Sequence, residues 1–406
     1  KRYLIETVVR TLGIGHELTQ GTTDSNELWL DVTVRSGDRV VGRSGALKEQ
    51  GDVDPWAYYL NAYLLDRDGK RIERRHAQDI FVALYNHQIP PGAAAVVHYV
   101  LTVPSNVTEP ISIEIKLQYR KFDTRFLRHI EGDDFDGNTL PITTLAQDRV
   151  TLPLGNATGL SAQTTAIPTW ERWNDYGIGL LRAGNQGANK GELRAAAMAF
   201  ARVEELGRAD GPLNLARVYF KEGRIDEAAA VLQRAADFEP PPPPWSLAWY
   251  SALVQRELGQ LDEAISTLEE LAATRFTEAR ERGFDFSRDY RMLNELGRIL
   301  FERARSERGE SKKAARVILL ERAKQRFEQV LAIDPENVTA HYNLALVNTE
   351  LGETQVAEHH HALHEQYRPD DQAVERAVTL HRRHNPAANH AAEAVAVYDL
   401  QRADSW

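Results

Sequence analysis

The chain has 406 residues, 42% of them apolar, which is enough to bury sizeable cores in two domains. Its formal net charge is -10, and neither half has a surplus of basic residues, so we expect no binding to DNA or RNA. It contains no cysteine, which excludes disulfides, thiolate metal ligands and covalent CxxCH haem attachment within these residues.

Residues 1–155 predict a β domain. Apolar and polar residues alternate near the N-terminus, at residues 3–9, and then in five further segments, at residues 27–34, 57–65, 80–85, 95–103 and 111–119. Turn signals such as Pro90-Pro91-Gly92 separate them. Many short strands with such turns indicate an all-β, immunoglobulin-like sandwich. Because Lys1 lies directly before the first alternating segment, we expect further polypeptide ahead of it.

A linker is predicted at residues 156–168, which are small and polar and show no periodicity. Nowhere does the sequence contain the ~18 consecutive apolar residues of a membrane-spanning helix. The sequence therefore predicts no membrane span.

Residues 169–402 show a helical pattern that repeats five times. In the second copy, Gly223 is followed five positions later by the small residue Ala228, and four positions after that by the bulky Leu232. The small residues of the five copies are Ala196, Ala228, Ala264, Ala323 and Ala357. Apart from one longer interval they are 32 to 36 residues apart, typical of tetratricopeptide units of about 34 residues. Such helix pairs stack, so we predict an all-α tetratricopeptide solenoid that binds a protein partner.

The longer interval, between Ala264 and Ala323, contains two charged stretches, residues 274–289 and 306–317. Long loops on a solenoid often contact partners. The alternative is that both stretches are solvated extensions of the helices, and this interpretation is favoured.

Several short segments of the chain match the motifs of one known family. Residues 13–22 read GIGHELTQGT and are followed by Trp29-Leu30. This segment resembles the GHxxPTG…WL segment of bacterial multihaem c-type cytochromes. Residues 90–92 with Tyr99, and residues 117–122 (LQYRKF), look like later strands of the same module. The tetratricopeptide tail of some of those cytochromes is similar to residues 172–177 (RWNDYG), 214–219 (NLARVY) and 385–393 (NPAANHAAE).

In that family the CxxCH haem sites lie ahead of the β module, so this chain resembles the non-haem portion. The resemblance implies a docking or scaffold module of a periplasmic or extracellular bacterial electron-transfer assembly, with a haem-bearing cytochrome segment or chain as partner. Any haem c would be supplied by adjacent or partner sequence, and His16 would be a distal axial ligand. The alternative for His16 is a hydrogen-bonded or solvated histidine at a strand end. For the whole chain, the alternative is a haem-free tetratricopeptide adaptor with no redox role.

The sequence offers two further candidates for a metal site. His359, His360, His361 and His364 form a cluster, in which His360 and His364 have the i, i+4 spacing of a shared metal. The repeat register places His361 and His364 at packing positions, and no third ligand is near, so structural packing is favoured. Residues 131–138 resemble a calcium loop, but Gly132 and Thr143 stand where acidic ligands are needed, and an acidic surface turn is favoured. We therefore predict no metal site.

Catalytic motifs are absent from the sequence. It contains no GxSxG, no phosphate-binding P-loop and no GxGxxG. Paired carboxylates carry no weight, because the 59 acidic residues supply many pairs on solvated surfaces. We therefore predict that the chain is not an enzyme.

Overall fold

The computed structural model describes residues 1–19, 21, 23–153, 165–183 and 190–403, with only the backbone at residues 190 and 191. The chain forms two compact units, one of Lys1–Ala199 with Asp370–Trp406 and one of Phe200–Pro369. None of the described helices combines the length and the apolarity that crossing a bilayer requires. Of the predicted linker, residues 156–164 lie outside the described residues.

Among the described residues, the first unit contains three sheets. Its strands are β1 (Arg2–Arg10), β2 (Glu27–Ser36), β3 (Arg39–Ser44), β4 (Ala62–Leu65), β5 (Val82–Asn86), β6 (Ala94–Thr102), β7 (Ile111–Arg120), β8 (Ile142–Leu152) and β9 (Val397–Asp399). Their orders are β1-β6-β9, β3-β2-β7-β8 and β4-β5. All pairs within these sheets are antiparallel except β6 with β9.

Alternate residues of β2 and β6 build the main core of the first unit. Leu28, Leu30 and Val32 on β2 are buried together with Tyr99 and Leu101 on β6. Because side chains alternate between the two faces of a strand, this pattern turns one face of each large sheet toward a shared interior. Burying each large side chain contributes roughly 1.5–3 kcal/mol to the free energy of unfolding.

The described part of the chain includes fourteen α-helices. They are α1 (Thr124–Glu131), α2 (Thr169–Ala183), α3 (Lys190–Glu205), α4 (Asp210–Lys221), α5 (Ile225–Ala236), α6 (Pro244–Glu257), α7 (Leu261–Ala273), α8 (Thr277–Glu281), α9 (Tyr290–Ser306), α10 (Lys313–Ile333), α11 (Val338–Leu351), α12 (Thr354–Tyr367), α13 (Asp371–His384) and α14 (Pro386–Ala391). The predicted order of strands first and helix pairs second is confirmed, whereas the immunoglobulin-like sandwich stays a prediction.

Helix pairs α4/α5, α6/α7, α9/α10 and α11/α12 make up most of the second unit. The predicted small positions Ala228, Ala264 and Ala323 are fully buried. Gly223 and Gly352, each at the turn between the two helices of a pair, have φ of 73° and 82°. A side chain other than glycine rarely adopts this left-handed conformation, so glycine is suited to the tight turn that follows the first helix.

Helix α2 packs against β1 and β6 of the first unit. A Cβ atom at Gly179 would lie 2.7 Å from Cγ2 of Val96, so glycine permits the close approach. Arg10 on β1 donates to Glu171 Oε1 at 2.6 Å and to Asp175 Oδ2 at 2.8 Å. The first predicted repeat helix is therefore attached to the sheet by packing and by ion pairs.

The C-terminal residues also belong to the first unit. Tyr398 and Leu400 are buried in its main core, and β9 extends the sheet of β1 and β6. On α13, His381 Nδ1 lies 2.8 Å from the Gly69 carbonyl oxygen. The predicted domain limits of 1–155 and 169–402 stay a prediction. The structure adds that residues 371–399 lie with the sheets rather than with the repeats, because Val378, Ala388 and Tyr398 pack in the cores of the first unit.

Candidate partner-binding surface

Ordered polar contacts join the first helices of successive pairs in the second unit. Between α4 and α6, the guanidinium of Arg217 lies 5.4 Å from the ring centroid of Tyr250. Arg217 Nη1 also donates to Asn214 Oδ1 at 2.8 Å. Between α6 and α9, Arg256 Nη1 donates to Glu295 Oε1 at 3.0 Å. These contacts hold large polar side chains in fixed positions along one series of helices.

Arg256 in this series keeps its positive charge, because two glutamates lie next to it. Burial alone would lower the pKa of Arg256, but the charges of Glu295 and Glu302 raise it above its usual value. Arg298, one turn further along α9, donates to the other oxygen of Glu295 at 3.2 Å. The result is a network of side chains that share ion pairs rather than a set of independent surface charges.

A groove of about 780 Å³ lies among α6, α9, α11 and the connection from α9 to α10. Phe301 provides an aromatic surface in it, and the guanidinium of Arg305 lies 5.9 Å from the centroid of that ring. The groove is lined by Arg256, Leu261, Arg298, Phe301, Glu302, Arg305, Ser306, Glu307, Arg308, Gly309, Arg316, Asn343 and Glu350.

The connection from α9 to α10 is organised by the carboxylate of Glu307. Arg303 Nη1 donates to its Oε1 at 2.6 Å, and Lys312 Nζ lies 3.0 Å from its Oε2. Hydrogen bonds from Lys312 and Arg303 hold the pKa of Glu307 below its usual value. Gly309, with φ of 86°, turns the chain between them. The charged stretch at residues 306–317 thus forms a 3-10 turn and the start of α10.

His16 lies on the connection between β1 and β2, and its side chain is exposed. Its Nδ1 is 2.9 Å from the backbone oxygen of Glu17. When Nδ1 carries the proton and donates to this carbonyl, Nε2 keeps a free lone pair. This arrangement fits an axial haem ligand, whose other ring nitrogen is usually held by a hydrogen bond. It equally fits a solvated histidine.

Of the two histidines that the repeat register places at packing positions on α12, His364 packs and His361 does not. His361 is exposed, so its predicted packing position is wrong. His360 faces α11 instead, with its Nδ1 3.0 Å from Nδ1 of His341, and burial lowers its pKa to about 4. His364 packs on the ring of Tyr342. The small position Ala357 is buried, as the repeat pattern predicts, so only His361 departs from the register, and the contacts of the other two histidines are structural.

Metal ligands are not grouped in the part of the chain that the structure describes: no set of three or more His, Asp or Glu side chains could hold an ion. Residues 131–138, considered above as a calcium loop, contain the end of α1 and a 3-10 turn at Gly132–Asp134. The side chains of Asp133, Asp134 and Asp136 are exposed.

A smaller cavity, of about 280 Å³, lies within the first unit. Burial lowers the pKa of His87 in its wall to about 4, and the His87 ring stacks on Tyr58 with centroids 4.8 Å apart. Arg182 donates to the backbone oxygens of Gln88 and Ala94, each at 2.7 Å. The sequence gives no signal for this cluster, because its members come from distant strands and helices. The polar atoms of Arg182 and Nδ1 of His87 are used in structural contacts with backbone oxygens.

The family described as tetratricopeptide repeat matches residues 181–243, 213–273 and 319–360. The chain carries tetratricopeptide repeats. The matched residues include the buried positions Ala228, Ala264 and Ala323, so the repeat prediction is confirmed. Resemblance to multihaem cytochromes stays a hypothesis.

Solved structures of MamA resemble part of the chain. MamA from strain AMB-1 has 20% sequence identity and a TM-score of 0.35, covering 48% of this chain and 90% of that one. MamA residues 41 to the end from Desulfovibrio magneticus RS-1 has 16% identity and a TM-score of 0.35, covering 49% and 94%. Likeness at this level supports no argument about function. No protein with a curated description matches the sequence.

Proposed function

We propose that this chain is an adaptor that holds a protein partner on the first-helix side of its tetratricopeptide unit and carries out no catalytic step itself. The observation that carries the proposal is the ordered series from Arg217 to Glu295, which ends at the groove beside Phe301. Each repeat buries small residues such as Ala264 between its two helices, which leaves the outer faces of those helices free for a partner.

Preorganisation supports this role. The side chains of Arg256, Glu295 and Arg298 already hold one another in place. Binding a partner to them therefore costs less conformational entropy than binding it to flexible arginines, which would first have to be ordered. The aromatic ring of Phe301 and the arginines around it belong to the residue types that dominate binding energy at protein interfaces.

The proposal is tested with a double substitution in the groove, Arg298→Ala with Phe301→Ala. The matched control is Arg282→Ala with Phe284→Ala, an exposed arginine and phenylalanine of the same unit outside the groove. A partner enriched from extracts of the source organism is purified, and its affinity for each variant is measured by calorimetry. We expect the groove variant to bind at least about tenfold more weakly and the control to bind like wild type. Equal affinities for all three proteins would contradict the proposal.

Association with a multihaem cytochrome is a second candidate, favoured by the exposed imidazole of His16 with its Nδ1 held at Glu17. In that assembly the chain would act outside the cytoplasm, the strands would lie against haem-bearing sequence, and Nε2 of His16 would bind the iron. Bound haem would supply the electron transfer; this chain's part would be to position one axial ligand.

This candidate is tested on the complete assembly, purified from its source. The absorption spectrum is recorded for wild type and for His16→Ala, with His76→Ala as a control at another exposed histidine. Loss of an axial imidazole should convert one haem toward high spin while the haem content stays constant. If the purified material shows no haem absorbance, or if His16→Ala leaves the spectrum unchanged, His16 is not a haem ligand. The chain would then be an adaptor with no redox partner at this site.

A further inference from the structure

Three arginines that line the groove of the second unit form no ion pair with a described residue, whereas most of the other charged residues that line it do. Arg305 lies near the end of α9, Arg308 follows it in the connection, and Arg316 lies on the first turns of α10. None of the three makes an ion pair with a described residue of the chain, and Arg305 and Arg308 are exposed. They lie on both sides of one turn and line the same groove.

The groove as a whole is positively charged, in contrast to the chain. Five arginines and three glutamates line it, whereas the chain has a formal net charge of -10. Two of the glutamates are already paired: Glu302 with Arg256 at 3.2 Å, and Glu307 with Arg303 and Lys312 outside the lining. Only Glu350 is a lining carboxylate without an ion pair among the described residues.

The carboxylate of Glu307 in this turn is already paired with other cations. Its two oxygens are contacted at 2.6 Å by Arg303 and at 3.0 Å by Lys312, and neither Arg305 nor Arg308 forms an ion pair with it. Placing several unpaired cations around one groove is unfavourable unless an anion joins them. The arrangement therefore suits a ligand that brings negative charge into the groove.

We propose that the groove binds an extended acidic segment of the protein partner, whose carboxylates contact Arg305, Arg308 and Arg316 while an apolar side chain packs on Phe301. This proposal rests on the adaptor function above and names the chemistry of its partner. Guanidinium groups bind carboxylates through paired hydrogen bonds, which gives direction as well as attraction. A groove of about 780 Å³ accommodates a few side chains of a peptide, not a folded domain.

An acidic peptide is favoured over nucleic acid, the other common polyanion. Nucleic-acid binding needs a broad basic surface, and this chain has a net charge of -10 with three carboxylates inside the groove itself. A short peptide segment with a few acidic groups can contact the arginines of the groove without extending over the acidic surface of the rest of the chain.

The test uses a fluorescein-labelled peptide of alternating Asp and Phe residues and the full-length chain, with fluorescence polarisation as the readout. The groove variant is Arg305→Glu, Arg308→Glu and Arg316→Glu together. The matched control is Arg275→Glu, Arg282→Glu and Arg288→Glu, three exposed arginines of the same unit outside the groove, with the same change in net charge. Circular dichroism and thermal unfolding establish that both variants fold.

We expect wild type and control to bind the acidic peptide with similar affinity, and the groove variant to bind it at least about tenfold more weakly. Replacing Asp by Asn in the peptide should abolish binding, and added salt should weaken it. Binding of a labelled single-stranded oligonucleotide in preference to the peptide would overturn the proposal. So would equal peptide binding by the groove variant and the control.

The two proposals fail separately. If the natural partner binds in a manner that depends on Arg298 and Phe301 but the acidic peptide does not bind, the adaptor function stands and the acidic-segment proposal is wrong. If the peptide binds at the three arginines but no partner depends on the groove, the adaptor function loses its support.

Discussion

Arg120 donates from Nε to Oε2 of Glu27 at 3.1 Å in the interior of the first unit, where neither residue is more than 8% exposed. The two residues face each other across β7 and β2, and the hydroxyl of Thr124 on α1 accepts a hydrogen bond from the guanidinium at 3.3 Å. A buried carboxylate of this kind makes stability depend on pH.

The first prediction concerns Glu27. Burial raises its pKa from 4.5 to about 7, although the charge of Arg120 opposes the shift. Between these two values the folded chain keeps a proton that the unfolded chain has lost, so the free energy of unfolding should fall as pH rises from 4.5 to 7. The loss is at most about 3 kcal/mol.

The measurement for Glu27 is urea unfolding at a series of pH values for wild type and for Glu27→Gln, since glutamine resembles the protonated acid. The variant should lack the decrease that wild type shows over this range. Parallel curves for the two proteins would mean that Glu27 is ionised in both the folded and the unfolded chain.

A second prediction concerns the packing of the repeats. Ala264 is fully buried between the helices of the second unit, so Ala264→Leu should lower the free energy of unfolding by roughly 1–3 kcal/mol through overpacking. Ala273→Leu, at an exposed position of the same helix, is the control and should change stability little. If Ala264→Leu unfolds at the same urea concentration as the control, the repeat register is wrong.

Spacing along the sequence could locate the repeats because each helix pair is defined locally. The steps from Gly223 to Ala228 and from Ala228 to Leu232 follow from one turn and one helix face, and both are present in the structure. No such local signal exists for β9. It has only three residues, and they form a strand because Tyr398 is buried beside β6.

The groove could be predicted only in part. Residues 306–317 were identified as a charged insertion, but two interpretations were open, a partner contact or solvated helix extensions. The grouping of Arg305, Arg308 and Arg316 depends on how α10 turns back along α9, and the turn is set by Glu307 and its two cationic partners. Sequence spacing does not encode which of many charges remain unpaired after folding.

A third prediction concerns the contact between α9 and α10. A Cβ atom at Gly297 would lie 2.7 Å from Cε1 and Cζ of Phe327, whose side chain is fully buried. Gly297→Ala should therefore destabilise the unit by about 1–3 kcal/mol, despite the higher helix propensity of alanine.

The control for Gly297 is a double-mutant cycle with Phe327→Leu, which removes the atoms that clash. The pair of substitutions should cost less than the sum of the two single ones, as measured by urea unfolding. If the two changes in the free energy of unfolding are strictly additive, the ring of Phe327 can move aside without a loss of stability, and its contact with residue 297 does not limit packing.

The last prediction concerns α13, which is attached to the first unit by His381. Its Nδ1 lies 2.8 Å from the Gly69 carbonyl, its Nε2 lies 3.0 Å from the Tyr63 hydroxyl, and burial lowers its pKa. The charges of Arg71, Arg125 and His384 act in the same direction. The folded chain thus binds this proton less readily than the unfolded chain, so the contribution of His381 is present at neutral pH and is lost as pH falls below 6.5.

The expected result is a loss of hydrogen-exchange protection in α13 as pH is lowered from about 8 to about 5, after correction for the intrinsic exchange rate. Helix α7, which contains no histidine, serves as the internal control and should keep its protection. His381→Gln removes the titration, so protection of α13 in this variant should no longer depend on pH, whatever its absolute level. If wild type and His381→Gln lose protection in parallel, the pH dependence belongs to another group, and His381 does not control the attachment of α13.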